Sequence, residues 1–309
     1  MKESKHSNQH IRAVLQALLV TFLWSTSWVL IKIGLKTDLP SITFAGLRYT
    51  LAFFCLIPFV ILNPDNLKIL RGLSIRSWVE LTVLGVAFYT ITQGAQFVSL
   101  ALLPAATLSL LMNFSPVLIA FYGSINKHEP TSALQWVGIF LTVLGAIIYF
   151  LPLSTPTGQI LGLMAALVGL LANSGSAIYG RYINSNSKLS PIIVTAVSMG
   201  IGGLLLLMTG YTTQGFGTLN TQQWLIIGWL ALINTAFAFT LWNRTLQTLT
   251  AVESSIINGT MLPQIAILAW LFLDEPLNIR QILGIICVGI GTLIVQLWRY
   301  FPVSKNIIR

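Results

Sequence analysis

The chain has 309 residues, of which 55% are apolar and only 8% charged, against about 25% charged in soluble domains. So little charge cannot cover a water-soluble surface, and a mean hydropathy of +0.81 makes lipid the solvent for most of the chain. The net charge of +9 is scattered thinly between apolar runs, which excludes a nucleic-acid partner, and the composition excludes an ordinary cytosolic enzyme.

A bilayer core of about 30 Å needs about 20 apolar residues per helix, and that ruler predicts ten spans. The first, 12–34, sets Thr21, Ser25, Trp28 and Lys32 on one helical stripe, with Trp24 beside it. A basic tail precedes it as in a signal peptide, but the stretch is too long, carries Lys32 and lacks a small-residue cleavage site. It reads as a retained helix. The second, 43–62, contains Arg48 and Cys55, and the third, 77–99, aligns Gly85, Tyr89, Gln93 and Gln96. The fourth, 104–124, offers Ser109, Asn113 and Pro116. The fifth, 132–151, is apolar with Gly138 and Gly145. The sixth, 158–180, aligns Gly169, Asn173, Ser176 and Gly180, and the seventh, 190–210, is apolar. The eighth, 222–243, carries Asn234, Ala238 and Trp242, and the ninth, 250–273, carries Ser255, Asn258 and Pro263. The tenth, 278–298, is apolar with Gly284 and Gly291. No connection is long enough for a folded domain outside the membrane.

Basic residues give the orientation. Thirteen of the 17 Lys and Arg fall in the two tails or in connections on the tails' side; Lys36 and Arg280 lie opposite, and Lys32 and Arg48 lie inside spans. Both termini are therefore predicted cytoplasmic, with tails 1–11 and 299–309, in a cytoplasmic membrane.

The halves repeat one another. A shift of 146 residues places Trp78 on Trp224, Leu100 on Leu246, Ala105 on Ala251, Ser109 on Ser255 and Glu129-Pro130 on Glu275-Pro276. It also places Gln135 on Gln281, Gly138 on Gly284 and Gly145 on Gly291, while Pro116 meets Pro263 with a slip of one. Five spans per copy is an odd number, so the copies lie inverted in the membrane, as two repeats over 12–151 and 158–298. Inverted repeats mark secondary transporters, whose halves rock about a central site.

These residues resemble the drug/metabolite transporter superfamily, EamA type, over roughly 12–298. The resemblance rests on the small residues and proline of spans four and nine, on the Glu-Pro turn leading into a Gly-bearing helix, and on Trp24-Ser25. It implies an all-α membrane protein of ten helices in two inverted five-helix repeats, exporting or exchanging small metabolites.

Pro116 and Pro263 fall near mid-span, where each frees the carbonyl four residues back, Met112 and Gly259. Such carbonyls need a cavity, a water or a neighbouring helix; simple kinking is the other reading. The amides Gln93, Gln96, Asn113, Asn173, Asn234 and Asn258 are poor lipid-facing residues. With Trp24, Ser25, Tyr89 and Trp242 they form the candidate substrate-binding set, on spans one, three, four, six, eight and nine. Lys32 and Arg48 either snorkel to the interface or contact an anionic group. Glu80, Glu253, Glu129, Asp274 and Glu275 stand near helix starts, as dipole caps. Spans five and ten read as packing helices or as the faces of a homodimer.

Cys55 and Cys287 lie far apart in apolar runs, and His6, His10 and His128 show no metal-ligand spacing. No catalytic residue, metal or cofactor is expected, and the partners are a small solute and the bilayer. The leading expectation is alternating-access transport of a neutral or zwitterionic, amino-acid-like solute. An organophosphate or nucleotide-sugar type exchanger would need a larger inward Lys/Arg cluster. A membrane enzyme would need histidines or carboxylates at midplane, which the chain lacks.

Overall fold

A computed structural model describes residues 2–36, 39–125, 132–151, 157–186, 189–245, 248–249 and 257–297. The Glu129-Pro130 turn, Ala251, Glu253, Ser255 and the C-terminal tail from 298 onward lie outside the described residues. Those described are helical apart from turns and short connections.

Eight helices are long and apolar enough to cross a membrane. They are α1 (Gln9–Leu35), α2 (Ser41–Ile61), α3 (Ile75–Leu102), α4 (Ala105–Tyr122), α5 (Ala133–Phe150), α6 (Gln159–Gly180), α7 (Pro191–Gln214) and α8 (Thr221–Trp242). Two shorter apolar helices follow, α9 (Ile257–Leu273) and α10 (Ile279–Val295). A short helix, Pro64–Arg71, joins α2 to α3; Asn63 caps its start by accepting from the amides of Asp65 and Asn66.

Several helix starts are capped by short polar side chains, which satisfy amides that have no partner inside the helix. Ser74 accepts from the Ser77 amide ahead of α3. Reciprocal capping boxes pair Ser132 with Gln135 before α5 and Asn220 with Gln223 before α8. Asn278 and Gln281 exchange the same two bonds before α10, at 3.0 and 2.9 Å. Two of these caps, at Ser74 and Ser132, are separated from two others, at Asn220 and Asn278, by the same shift of 146 that relates the sequence halves.

The shift also relates the irregular turns. In α3 the stretch Val86–Thr92 is π-helical, and in α8 Leu232–Phe237 is. A threonine hydroxyl in each donates to the carbonyl five residues back, Thr92 to Ala87 at 2.9 Å and Thr235 to Leu230 at 2.8 Å. Such wide turns recur at functional sites. In α4 the helix stops at Met112 and restarts at Ser115, and in α9 a turn at Thr260 precedes the helix Met261–Leu273.

The strongest packing joins α5 to α10 and α2 to α7, where small residues let backbones approach. A Cβ on Gly138 would lie 2.7 Å from the Gly291 carbonyl oxygen, and one on Gly291 would lie 2.6 Å from that of Gly138. Gly145 and Gly284 are related in the same way, at 2.8 and 2.7 Å. The Gly stripes of α5 and α10 are thus spent on each other inside one chain. Buried apolar residues of α1, α2, α3, α7 and α8, including Ile31, Phe44, Phe97 and Met199, form the main core beside the site described next.

Candidate functional site

The breaks in α4 and α9 face a cavity of about 340 Å³ lined by Trp28, Ser109, Asn113, Asn173, Asn258 and Gly259, among others. Its walls come from α1, α4, α6 and α9, so both halves of the chain contribute. Among the described residues no charged side chain lines it. A second cavity of about 190 Å³ is lined by Phe88, Tyr89, Ser176, Thr195 and Ser198 together with Asn173 and Ala177, two residues that also line the first. The two spaces adjoin at that shared wall.

Asn113 bonds back to its own helix, Nδ2 to the Ser109 carbonyl at 2.9 Å. Asn173 donates to Ser115 Oγ at 3.0 Å, and the Ser115 and Ser174 hydroxyls lie 2.7 Å apart. These bonds hold α6 against the restart of α4. The Ser109 hydroxyl is buried on the cavity wall without a partner among the described residues, as is that of Ser176 on the smaller one. Asn258 is exposed at the start of α9.

The other candidate residues serve contacts between helices. Ser25 Oγ donates to the Thr21 carbonyl and reaches Gln264 Oε1 at 2.9 Å, tying α1 to α9. Asn234, fully buried, donates through Nδ2 to the Leu23 carbonyl and to Thr26 Oγ1, tying α8 to α1. Trp24 packs on Trp242 and on Phe239, each at 5.2 Å between ring centres. Gln93 accepts from the Tyr49 hydroxyl at 2.6 Å. Gln96 is half-buried on α3 and lines neither cavity. Span eight therefore stands behind the larger cavity, and span three reaches only the smaller one, through Phe88, Tyr89 and Leu84. Gln264 escaped notice in the sequence, although the argument applied to the other amides covers it equally.

The prolines act differently from the mid-span reading. Pro116 is the second residue of the helix Ser115–Ile125, and Pro263 the third of Met261–Leu273. In a first turn, proline removes an amide that has no helical acceptor in any case. The breaks lie just ahead of the prolines, and Pro116 lines the larger cavity while Pro263 does not.

Neither membrane cation snorkels. Lys32 lies 3.6 Å from Glu275 Oε1 and donates to the Leu103 carbonyl. Arg48 is 5% exposed; its Nε donates to Thr235 Oγ1 at 3.0 Å, and its guanidinium lies 5.1 Å from the Tyr49 ring centre. Glu275 caps a helix other than the one it precedes: Oε2 accepts from the Ala105 amide, at 2.7 Å, where α4 begins. Glu80 pairs with Arg76 one turn earlier, at 2.9 Å.

The sequence profile of the EamA-like transporter family matches residues 11–151 and 160–297. The uncharacterized transporter YoaV of Bacillus subtilis is 25% identical over 91% of this chain and 96% of its own length. A protein of Escherichia coli named a probable amino-acid metabolite efflux pump is 24% identical over 89% and 91%. A solved crystal structure superposes with a TM-score of 0.67 over 93% of this chain and 98% of its own, at 16% identity, a likeness of fold alone. Two profile matches that between them take in α1 to α10 make the protein a multi-pass membrane protein belonging to the EamA-like transporter family.

Proposed function

We propose that the protein exports or exchanges a small neutral or zwitterionic, amino-acid-like metabolite by alternating access. The observation that carries this reading is the larger cavity, whose described walls hold three amides, a tryptophan and a hydroxyl without a described partner, and no charge among the described residues. Such a lining offers hydrogen bonds in both directions and repels a multiply anionic solute, which would shed its hydration without a counter-charge. The name of the Escherichia coli relative favours amino-acid metabolites as the cargo.

The architecture behind this reading is ten spans in two inverted repeats, 12–151 and 158–298, with both termini in the cytoplasm of a cell bounded by the membrane that holds the protein. The caps, π-turns and helix breaks recurring at one shift support the duplication, and so do the crossed glycines. Gly138 meets the counterpart of Gly145, and Gly145 meets the counterpart of Gly138, the exchange that a two-fold relation between copies produces. On this orientation Lys32 and Glu275 lie on the outer side and Asn258 on the cytoplasmic side. The pair then holds the outer side together while the cavity occupies the inner half, one of the two states that alternating access requires.

Purified protein in liposomes, preloaded with one amino acid and offered the labelled species, tests the reading by counterflow. Saturable exchange of at least one protein amino acid, abolished by Asn173→Leu with the protein still monodisperse, is expected. Exchange of organophosphates in place of amino acids overturns it.

A further inference from the structure

Arg48 lies among apolar helices with no carboxylate within 4 Å among the described residues. A lone cation there is costly, so such residues are as a rule paired or serve a ligand. Its single hydrogen bond among the described residues, to Thr235, leaves the charge uncompensated. Its guanidinium stands over the Tyr49 ring, and that ring packs on Tyr89 at 5.5 Å between centres. Tyr89 lines the smaller cavity. The positive charge therefore sits two ring contacts from a space with no charged lining among the described residues.

That space also carries an unused donor. Serine hydroxyls inside helices ordinarily bond to the carbonyl four residues back, as Ser174 does to Leu170 and Ser198 to Val194. Ser176, on the same helix as Ser174, has no partner among the described residues although its oxygen is buried, and it lines the smaller cavity. A buried hydroxyl left unmatched is a cost unless something else accepts its proton.

We propose that the smaller cavity is the subsite for the carboxylate of a zwitterionic solute, with Ser176 donating to it, Arg48 supplying the compensating charge through space, and the rest of the solute in the larger cavity across Asn173. This rests on the reading of the chain as a carrier of amino-acid-like solutes and adds which end lies where. The contacts of 5.1 and 5.5 Å put the guanidinium at most about 11 Å from the Tyr89 ring centre; at that separation and an effective dielectric of about 20, one positive charge strengthens carboxylate binding roughly tenfold over a neutral group of the same shape.

The test offers wild-type proteoliposomes each protein amino acid and its C-terminal primary amide, one at a time. For every solute carried, the free acid should show a KM about tenfold below that of its amide. Ser176→Ala should raise KM for the acid more than for the amide, because a hydrogen bond to a charged acceptor is the stronger one. Arg48→Gln, which keeps a donor toward Thr235, should erase the preference. Equal handling of acid and amide by the wild type overturns this assignment and leaves the transport reading standing. Carriage of neither overturns both. A preference that survives Ser176→Ala and Arg48→Gln puts the carboxylate elsewhere and overturns it too. Should Arg48→Gln fail to fold, the wild-type comparison and Ser176→Ala decide.

Discussion

Lys32 and Glu275 stand 3.6 Å apart and join α1 to the connection between α9 and α10. The second carboxylate oxygen accepts from the Ala105 amide, and the ammonium donates to the Leu103 carbonyl. One ion pair thus ties together four pieces of chain from both halves. Ala105 opens its helix behind Pro104, which has no side chain able to cap it; Glu275 does from a distance what an N-cap residue does locally, and its charge suits the helix dipole. Glu275→Ala should lower stability by about 1–3 kcal/mol, since it strands an ammonium and an amide together. Glu275→Gln keeps an acceptor and should cost less. Unfolding in detergent, followed by tryptophan fluorescence, ranks the two.

Exchanging the partners separates ion pairing from capping. Lys32→Glu with Glu275→Lys restores an opposite-charge pair but sets a cation against the start of α4, where the dipole disfavours it. The double variant should therefore recover only part of the stability lost in Lys32→Glu. Full recovery in the same unfolding measurement would show that the cap contributes nothing.

The glycines of α10 should divide sharply. A Cβ at Gly284 would lie 2.7 Å from the Gly145 carbonyl oxygen and 2.8 Å from the Tyr149 Cβ, whereas one at Gly289 would meet nothing within 4 Å. Gly284→Val should cost about 1–3 kcal/mol or more by overpacking. Gly289→Ala should be neutral or slightly stabilising, because alanine favours helix over glycine. Melting temperatures of the two variants against wild type check this.

Amides on the cavity and amides between helices should respond in opposite ways. Asn258→Leu removes a group exposed at the larger cavity and should raise KM about tenfold, the value of one hydrogen bond, with little loss of stability. Asn234→Leu removes two bonds to α1 and should cost about 0.6–1.7 kcal/mol of stability, the range measured for such bonds in membranes. Its KM should stay near wild type. Counterflow and unfolding, measured on both variants, provide the cross-check.

The apolar spans and the shift of 146 were legible because each depends on residues close in sequence or on a pattern repeated whole. Asn113, Asn173 and Asn258 were found by one local argument, that an amide in an apolar helix needs partners, and they line the cavity. The same argument also selected Asn234, Gln93 and Ser25, which spend their hydrogen bonds on Leu23, Tyr49 and Gln264 instead. Nothing local distinguishes the two groups. Glu275 shows the limit most clearly: it precedes α10, so local reasoning assigns it that helix's dipole, while it caps α4, 170 residues earlier in the chain.

By itself, then, the sequence determined that the chain lives in lipid, which stretches are apolar enough to be helices there, and that its two halves share one pattern. Composition, period and repeat are properties of the chain that no packing can change. Tertiary structure decided which polar side chains face space and which face one another, that α4 and α9 stop and restart at a cavity, and that Arg48 is buried with no carboxylate beside it among the described residues while Lys32 is paired. Helical periodicity sets the direction of a side chain about its own axis, but the neighbour it meets depends on how helices far apart in sequence come to rest together.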